Sequence, residues 1–296
     1  MAEKVFGFLN IDKPQGLTSH DVVARVRRIC RNSFGKTKVG HAGTLDPMAT
    51  GVLVICLGHA TRLSEYAMQS TKKYRASIHL GIKTDTYDAE GEVIAETDAS
   101  HISLEQVETA FQAFIGDIQQ LPPMYSAIKK DGKKLYELAR EGKEIERDAR
   151  PVTIHSIEVV EWQSPTIVLD VTCGAGTYIR SLAHDIGETL ATGAHLSGLI
   201  RLKSGAFAVE NAISLDTVLE DDNWQDHIIA PKDALSDLQT LQLTEEASKE
   251  IQLGRFISKD DDTADELVMA YMPDGHLLAV LENRHNHWKP HKVFLP

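Results

Sequence analysis

Apolar and polar positions alternate over residues 73–80, with Tyr74, Ala76, Ile78 and Leu80 on one side and Arg75, Ser77 and His79 on the other. A period of two is the signature of a strand with one buried face, so Tyr74 heads an inward-facing row. Residues 167–173 alternate in the same way, and residues 5–11 make a short strand closed by the Pro14 to Gly16 turn. The unbroken apolar run from Val52 to Leu57 is bounded by glycine and too short for a helix, which predicts a fully buried strand.

Helical spacing appears in between. Val22, Val23, Val26 and Ile29 predict a helix capped by Thr18 or Ser19 and reaching Cys30, with Arg25, Arg28 and Arg31 turned away from its apolar face. A short helix is predicted over 60–68, a second over 104–115 from Leu104, Val107, Phe111 and Phe114, and a third over 178–190 from Ile179, Leu182, Ala183 and Ile186, with Thr177 as its cap. Closing helices follow over 215–238. From residue 241 onward, short strands around Pro273-Asp274-Gly275 predict a small, mainly β appendage.

Two positions break these patterns in ways that suggest chemistry. Asp46 is a lone carboxylate among Gly40, Gly43, Gly51 and Pro47, just ahead of the buried strand. The proline biases it toward extended backbone and the glycines permit close approach of other chain segments, so the loop holds one acidic side chain still. Alone, an aspartate before proline is an ordinary turn residue. Arg180, in the first turn of its helix, opposes the helix dipole, a local disadvantage that hints at a carboxylate partner.

Charge adds a partner class. The chain of 296 residues carries a net charge of −12, but residues 1–150 hold 21 basic against 20 acidic side chains and residues 151–296 hold 10 against 23. Basic residues gather at Arg25 to Lys38 and again at Lys129, Lys130, Lys133, Lys134, Arg140, Lys143, Arg147 and Arg150, where Tyr125 and Tyr136 are interleaved. Aromatic and basic side chains together suit bases and phosphates despite the acidic total. Cys30, Cys56 and Cys173 are widely spaced and read as buried free thiols. No signal-peptide core or long apolar run is present, so a cytoplasmic protein without a membrane span is expected.

Six blocks, in order, resemble the bacterial tRNA pseudouridine-55 synthases: GFLNIDKPQGLTSHDVVARVRR, GHAGTLDPMATGVLVICLGHATR, KKYRA, TDTYDAEG, PPMYSAIKKDGKKLYELAREG and GTYIRSLAHDIG. The resemblance implies an α+β fold, with a mixed, largely antiparallel sheet, flanking helices and a cleft for RNA. A small C-terminal PUA-like domain would follow, with domains at 1–235 and 236–296 and an RNA-binding insertion near 122–152. It implies that Asp46, Tyr74 and Arg180 are catalytic, Arg180 pairing with Asp46 and favouring its charged form. His41, Tyr178, Lys13, Lys129, Lys130 and Lys133 would bind substrate. The substrate would be the T-loop uridine of tRNA, flipped out and isomerised with no cofactor or metal, by a monomer. The acidic C-terminal piece leaves an edge near Lys289 and Lys292 for RNA.

Two other readings compete. A catalytically silent tRNA-binding or tRNA-folding module would use the basic patches without Asp46, and a metal-dependent hydrolase would draw on His41, Asp46 and His59.

Overall fold

The computed structural model describes residues 5–126, 128–130, 132–143, 145–259 and 265–295, the side chains of Lys129, Lys130, Lys134, Tyr136 and Arg140 excepted. The chain opens with β1 (Phe6–Lys13), α1 (Ser19–Phe34), β2 (Val39–His41) and β3 (Thr50–Gly58). Thr18 caps α1 in a reciprocal box with Asp21, as its residue type predicts. A turn of 3-10 helix and α2 (Ser64–Gln69) lead to β4 (Lys72–Leu80), and β5 (Ile82–Thr84) and β6 (Val93–Glu96) pair as a small ribbon. Next come α3 (Leu104–Gln112) and β7 (Gly116–Gln120), then the two-residue strands β8 (Lys129–Lys130) and β9 (Lys133–Lys134) with α4 (Leu135–Arg140). The long pair β10 (Arg150–Gln163) and β11 (Thr166–Cys173) precedes α5 (Ile179–Thr189) and β12 (Ala194–Ser204). Short elements β13 (Phe207–Ala208), β14 (Ile213–Ser214), α6 (Leu215–Glu220) and α7 (Pro231–Ala234) follow.

Ten strands form one mixed sheet, with a path β14-β1-β3-β12-β4-β11-β10-β7 and β2 and β13 attached to its side. All neighbours are antiparallel except β1 with β14 and β3 with β12. This is the α+β architecture anticipated for the larger part of the chain.

The apolar run in β3 is explained by layers on both sides of the sheet. Leu53, Ile55 and Leu57 pack with Val22 and Val26 of α1, Phe111 of α3 and Leu182 and Ile186 of α5. Val52, Val54 and Cys56 point the other way, into a cluster containing Phe8, Met269, Val280 and Phe294. A strand covered on both faces loses the polar half of its alternation.

Met269 and Val280 come from a five-stranded sheet at the C-terminal end, with Phe294 just beyond its last strand; it comprises β15 (Gln239–Gln242), β16 (Ile257–Ser258), β17 (Leu267–Tyr271), β18 (Leu277–Arg284) and β19 (His287–Val293), in the order β15-β17-β18-β19-β16. Its own core closes around Trp288 and Ile251. The appendage is mainly β, as anticipated, and adds one helix, α8 (Glu245–Gln252), capped by Thr244. With only Ser248 and Ile251 buried, that helix carries too thin an apolar stripe for its period to show in the sequence.

Two local expectations change. Thr177 does not cap α5: its hydroxyl donates to the Gly174 carbonyl, and Tyr178 occupies the cap position. Lys292 is not a free edge cation, because its ammonium engages Glu65 and lies over the Tyr66 ring. No described helix is long and apolar enough to cross a membrane.

Candidate active site

Asp46 is carried by the connection between β2 and β3, and three buried groups hold that connection in shape. Ser19, in the first turn of α1, both accepts from the Leu45 amide (2.8 Å) and donates to the Leu45 carbonyl (3.0 Å). Arg201 of β12 donates to the carbonyls of Val52 (2.6 Å), Gly43 (3.1 Å) and Thr44 (3.4 Å). Lys13, at the end of β1, donates to Leu17 (2.6 Å), Pro14 (2.8 Å) and Pro47 (3.3 Å). Gly51 lies alongside Arg201 with a positive φ of 91°, and a Cβ there would stand 2.4 Å from the Arg201 carbonyl oxygen. No other residue fits so close a crossing.

Lys13, expected to bind substrate, lies against the base of the loop. The residue is fully buried and its ammonium protons are spent on carbonyls beneath the loop. Burial lowers its pKa to about 8, against the pull of Asp46. In this arrangement Lys13 supports the loop from below.

Arg180 reaches the same carboxylate from α5. Its Nε lies 3.0 Å from Asp46 Oδ2 and its Nη2 donates to Asp46 Oδ1 at 3.2 Å. Its Nη1 donates to Asp88 Oδ2 at 3.0 Å, and its Nη2 also donates to the Tyr125 carbonyl at 2.9 Å. Arg180 and Asp88 keep 7% and 3% of their side-chain surface exposed while Asp46 keeps 32%, so only Asp46 of the three faces outward. Forked contacts of this kind fix orientation as well as charge.

Opposed influences act on the Asp46 carboxylate. Burial pushes the Asp46 carboxyl above the usual carboxylate range, and nearby Asp88 adds to the rise. Arg180 and Lys13 pull the other way without cancelling it. The mechanism is desolvation of the charged form, opposed by a paired cation.

Tyr74 stands in register between Arg201 on β12 and Val171 on β11. Its ring is half-buried, and burial raises its hydroxyl pKa, with Arg201 alongside. Tyr178 is anchored through its backbone: the buried Gln120 side chain accepts from its amide (2.8 Å) and donates to its carbonyl (3.0 Å). Burial also raises the Tyr178 hydroxyl. His41 sits at the end of β2 with its pKa lowered, first by burial and then by Arg201 and His20.

The segment after β7 joins the site through the Tyr125 carbonyl on Arg180 and through Ser181, which donates to the Leu121 carbonyl at 2.8 Å. Lys133 is exposed and 3.6 Å from Glu141. The side chains of Lys129 and Lys130, expected to bind substrate, lie outside the described residues. His59 packs edge-on against Phe6 and Phe294. Among the described residues no group of three or more histidine, cysteine or acidic side chains is arranged to hold a metal ion.

A recess of about 420 Å³ opens elsewhere, at the His79 end of β4. Asp46 does not line that recess, and its side chain is partly exposed. Three residues of the site escaped the sequence reading. Asp88 lay in a polar turn, its only signal being the missing carboxylate partner that Arg180 called for. Arg201 is in phase with Leu199 along β12, so an inward-facing arginine was its signal. Gln120 offered none.

The chain is similar to known proteins over most of its length. Residues 31–179 match the family described as TruB family pseudouridylate synthase (N terminal domain). Residues 180–238 match the tRNA pseudouridylate synthase B C-terminal domain, and residues 238–295 the tRNA Pseudouridine synthase II C terminal family. Among curated relatives, the tRNA pseudouridine synthase B of Syntrophotalea carbinolica is 45% identical over 250 residues, 84% of this chain and 80% of that protein. The protein of the same name from Clostridium tetani is 44% identical over 272 residues, 90% and 92% of the two chains. Among solved structures, a Cbf5-Nop10-Gar1 complex matches with a TM-score of 0.73 and 28% identity, over 98% of this chain and 85% of that one. A chain from an H/ACA RNP bound to a substrate RNA containing 2'-deoxyuridine matches with a TM-score of 0.74 and 25% identity, over 98% and 86%.

Proposed function

Because the chain belongs to the TruB family of pseudouridylate synthases, we propose that it converts the T-loop uridine at position 55 of tRNA to pseudouridine. The observation that carries this reading is the forked Arg180–Asp46 contact at 3.0 and 3.2 Å, with Asp46 as the outward-facing member of the cluster. In this reading Asp46, Tyr74 and Arg180 act on the base.

The target base is stacked within RNA, so the nucleotide has to be extruded, at a cost of about a few kcal/mol offset by stacking and edge hydrogen bonds in the enzyme. Tyr74 supplies the face for the extruded base. The Asp46 carboxylate then promotes cleavage of the bond between N1 and C1′. The freed uracil turns, C5 bonds to C1′, the proton on C5 leaves to solvent, and N1 takes up a proton in its place. Atoms and electrons balance without an external oxidant, reductant or phosphoryl donor.

Arg180 orients Asp46 and favours the ionised state that the reaction needs, against the opposing effect of burial. His41 and Tyr178 border the base, and Lys133 with its neighbours tracks the phosphates. Lys13, with its donors committed to three carbonyls, acts on the Asp46 loop. We assign residues 1–235 to the catalytic domain and 236–296 to the small C-terminal domain.

The test is release of tritium from C5-labelled uridine in a T-arm stem-loop, with anticodon and D-arm stem-loops as controls. Release from the T-arm alone supports the reading. Equal release from all three would overturn the T-loop assignment, and no release from any would overturn the isomerase reading.

A further inference from the structure

The basic outer face of α1 takes no part in the site described above. Between Asp21 and Asp46 the sequence contains six cations, Arg25, Arg27, Arg28, Arg31, Lys36 and Lys38, and no carboxylate, in a chain whose net charge is −12. Selective placement of this kind has a cost, since clustered like charges repel one another. Arg25, Arg28 and Arg31 are exposed, and among the described residues none of them has a carboxylate within 4.0 Å. Arg27 is different, because its guanidinium donates to the Val39 carbonyl and ties α1 to β2.

The helix is also joined to the catalytic loop at one end. Ser19 bonds both backbone groups of Leu45, next to Asp46, and His20 stands close enough to His41 to lower its pKa. At 1.5 Å per residue, α1 carries its arginines from that contact to about 20 Å away. The helix turns Val22, Val23, Val26 and Cys30 into the core and leaves Arg25, Arg28 and Arg31 exposed.

Resting on the RNA-modifying reading above, we infer that the outer face of α1 is a second RNA-binding surface, holding phosphates of the substrate that lie outside the loop at Asp46. The occupant is a sugar-phosphate backbone, from the T stem or from another arm of the tRNA. Contacts of this class carry affinity and salt dependence without reading sequence.

The experiment compares wild type with the Arg25→Ala/Arg28→Ala/Arg31→Ala variant, and with the corresponding triple lysine variant, for binding to full-length tRNA and to a T-arm stem-loop across a salt series. Alanine and lysine both suit exposed helix positions. The alanine variant should bind tRNA about tenfold more weakly near 0.1 M salt, and its salt slope should fall by about two to three. The lysine variant should keep the slope. Loss with tRNA alone assigns the phosphates to another arm, and equal loss with both RNAs assigns them to the T stem. Unchanged affinity and slope for both RNAs would overturn the inference. Failure of the isomerase reading is separable, because it would appear as absent tritium release by wild type with binding intact.

Discussion

Asp88 Oδ2 lies 3.0 Å from Arg180 Nη1, on the side of the guanidinium away from Asp46, so one buried cation serves two carboxylates. The pairing immobilises Arg180 before any substrate arrives. It also surrounds Asp46 with opposed influences, Arg180 favouring its charge while Asp88 and burial resist it.

The first prediction follows from that balance. Asp46 titrates above the ordinary carboxylate value, about 3.9, so activity that needs its ionised form falls as pH drops through a point higher than 3.9. The acid limb of a kcat/KM profile should therefore lie above that value. Asp88→Asn removes a charge that raises the Asp46 pKa and should move the limb downward, while kcat falls because Arg180 loses an anchor. A limb that stays fixed in Asp88→Asn would contradict the coupling.

Arg201 should act through the loop. Its guanidinium bridges the carbonyls of Gly43, Thr44 and Val52 from a fully buried position. Arg201→Lys keeps the charge but cannot span three acceptors, leaving carbonyls unpaired at about 1–3 kcal/mol each. Stability should fall, and kcat should drop about tenfold or more with little change in KM. Equal losses in thermal stability without the kcat effect would reduce Arg201 to a role in folding.

Asp170 gives a stability prediction with a defined sign. Its carboxylate accepts from Arg75 at 2.8 and 3.0 Å and lies 3.1 Å from Lys73, and these contacts hold its pKa below the usual range. A lowered folded-state pKa stabilises the fold above the unfolded value, and that contribution disappears as pH falls through the folded one. Arg75 and Lys73 are 42% and 37% exposed, so solvent screening limits the effect to about 1 kcal/mol. Denaturant melts of Asp170→Asn should show that loss at pH 7 and progressively less below pH 4.

The thiols should be inert in the folded state. Burial pushes Cys30 and Cys56 up to about 12 and Cys173 up to about 11. A thiol reagent at pH 8 should label none of them until denaturant is added. Rapid labelling of native protein would show that the core opens.

What could be read from the chain depended on periodicity and on local rules. Strands β4 and β11 and helices α1, α3 and α5 were legible because their buried positions repeat at 2.0 or 3.6 residues, and β3 because its apolar run is unbroken and too short for a helix. Asp46 stood out through its glycines and proline, and Arg180 through its awkward place in a helix. The rest of the site is made by distance. Asp88 meets Arg180 across 92 residues and Arg201 meets Gly43 across 158, separations that no local pattern encodes. Lys13 looked like an available cation because the sequence does not disclose that its ammonium would be buried under three carbonyls.

The most direct measurement of the central claim is tritium release from C5-labelled T-arm uridine by Asp46→Asn, set beside RNA binding by the same variant. The account predicts that binding and thermal stability persist while release falls to the uncatalysed level. Release at a rate near that of wild type would contradict it.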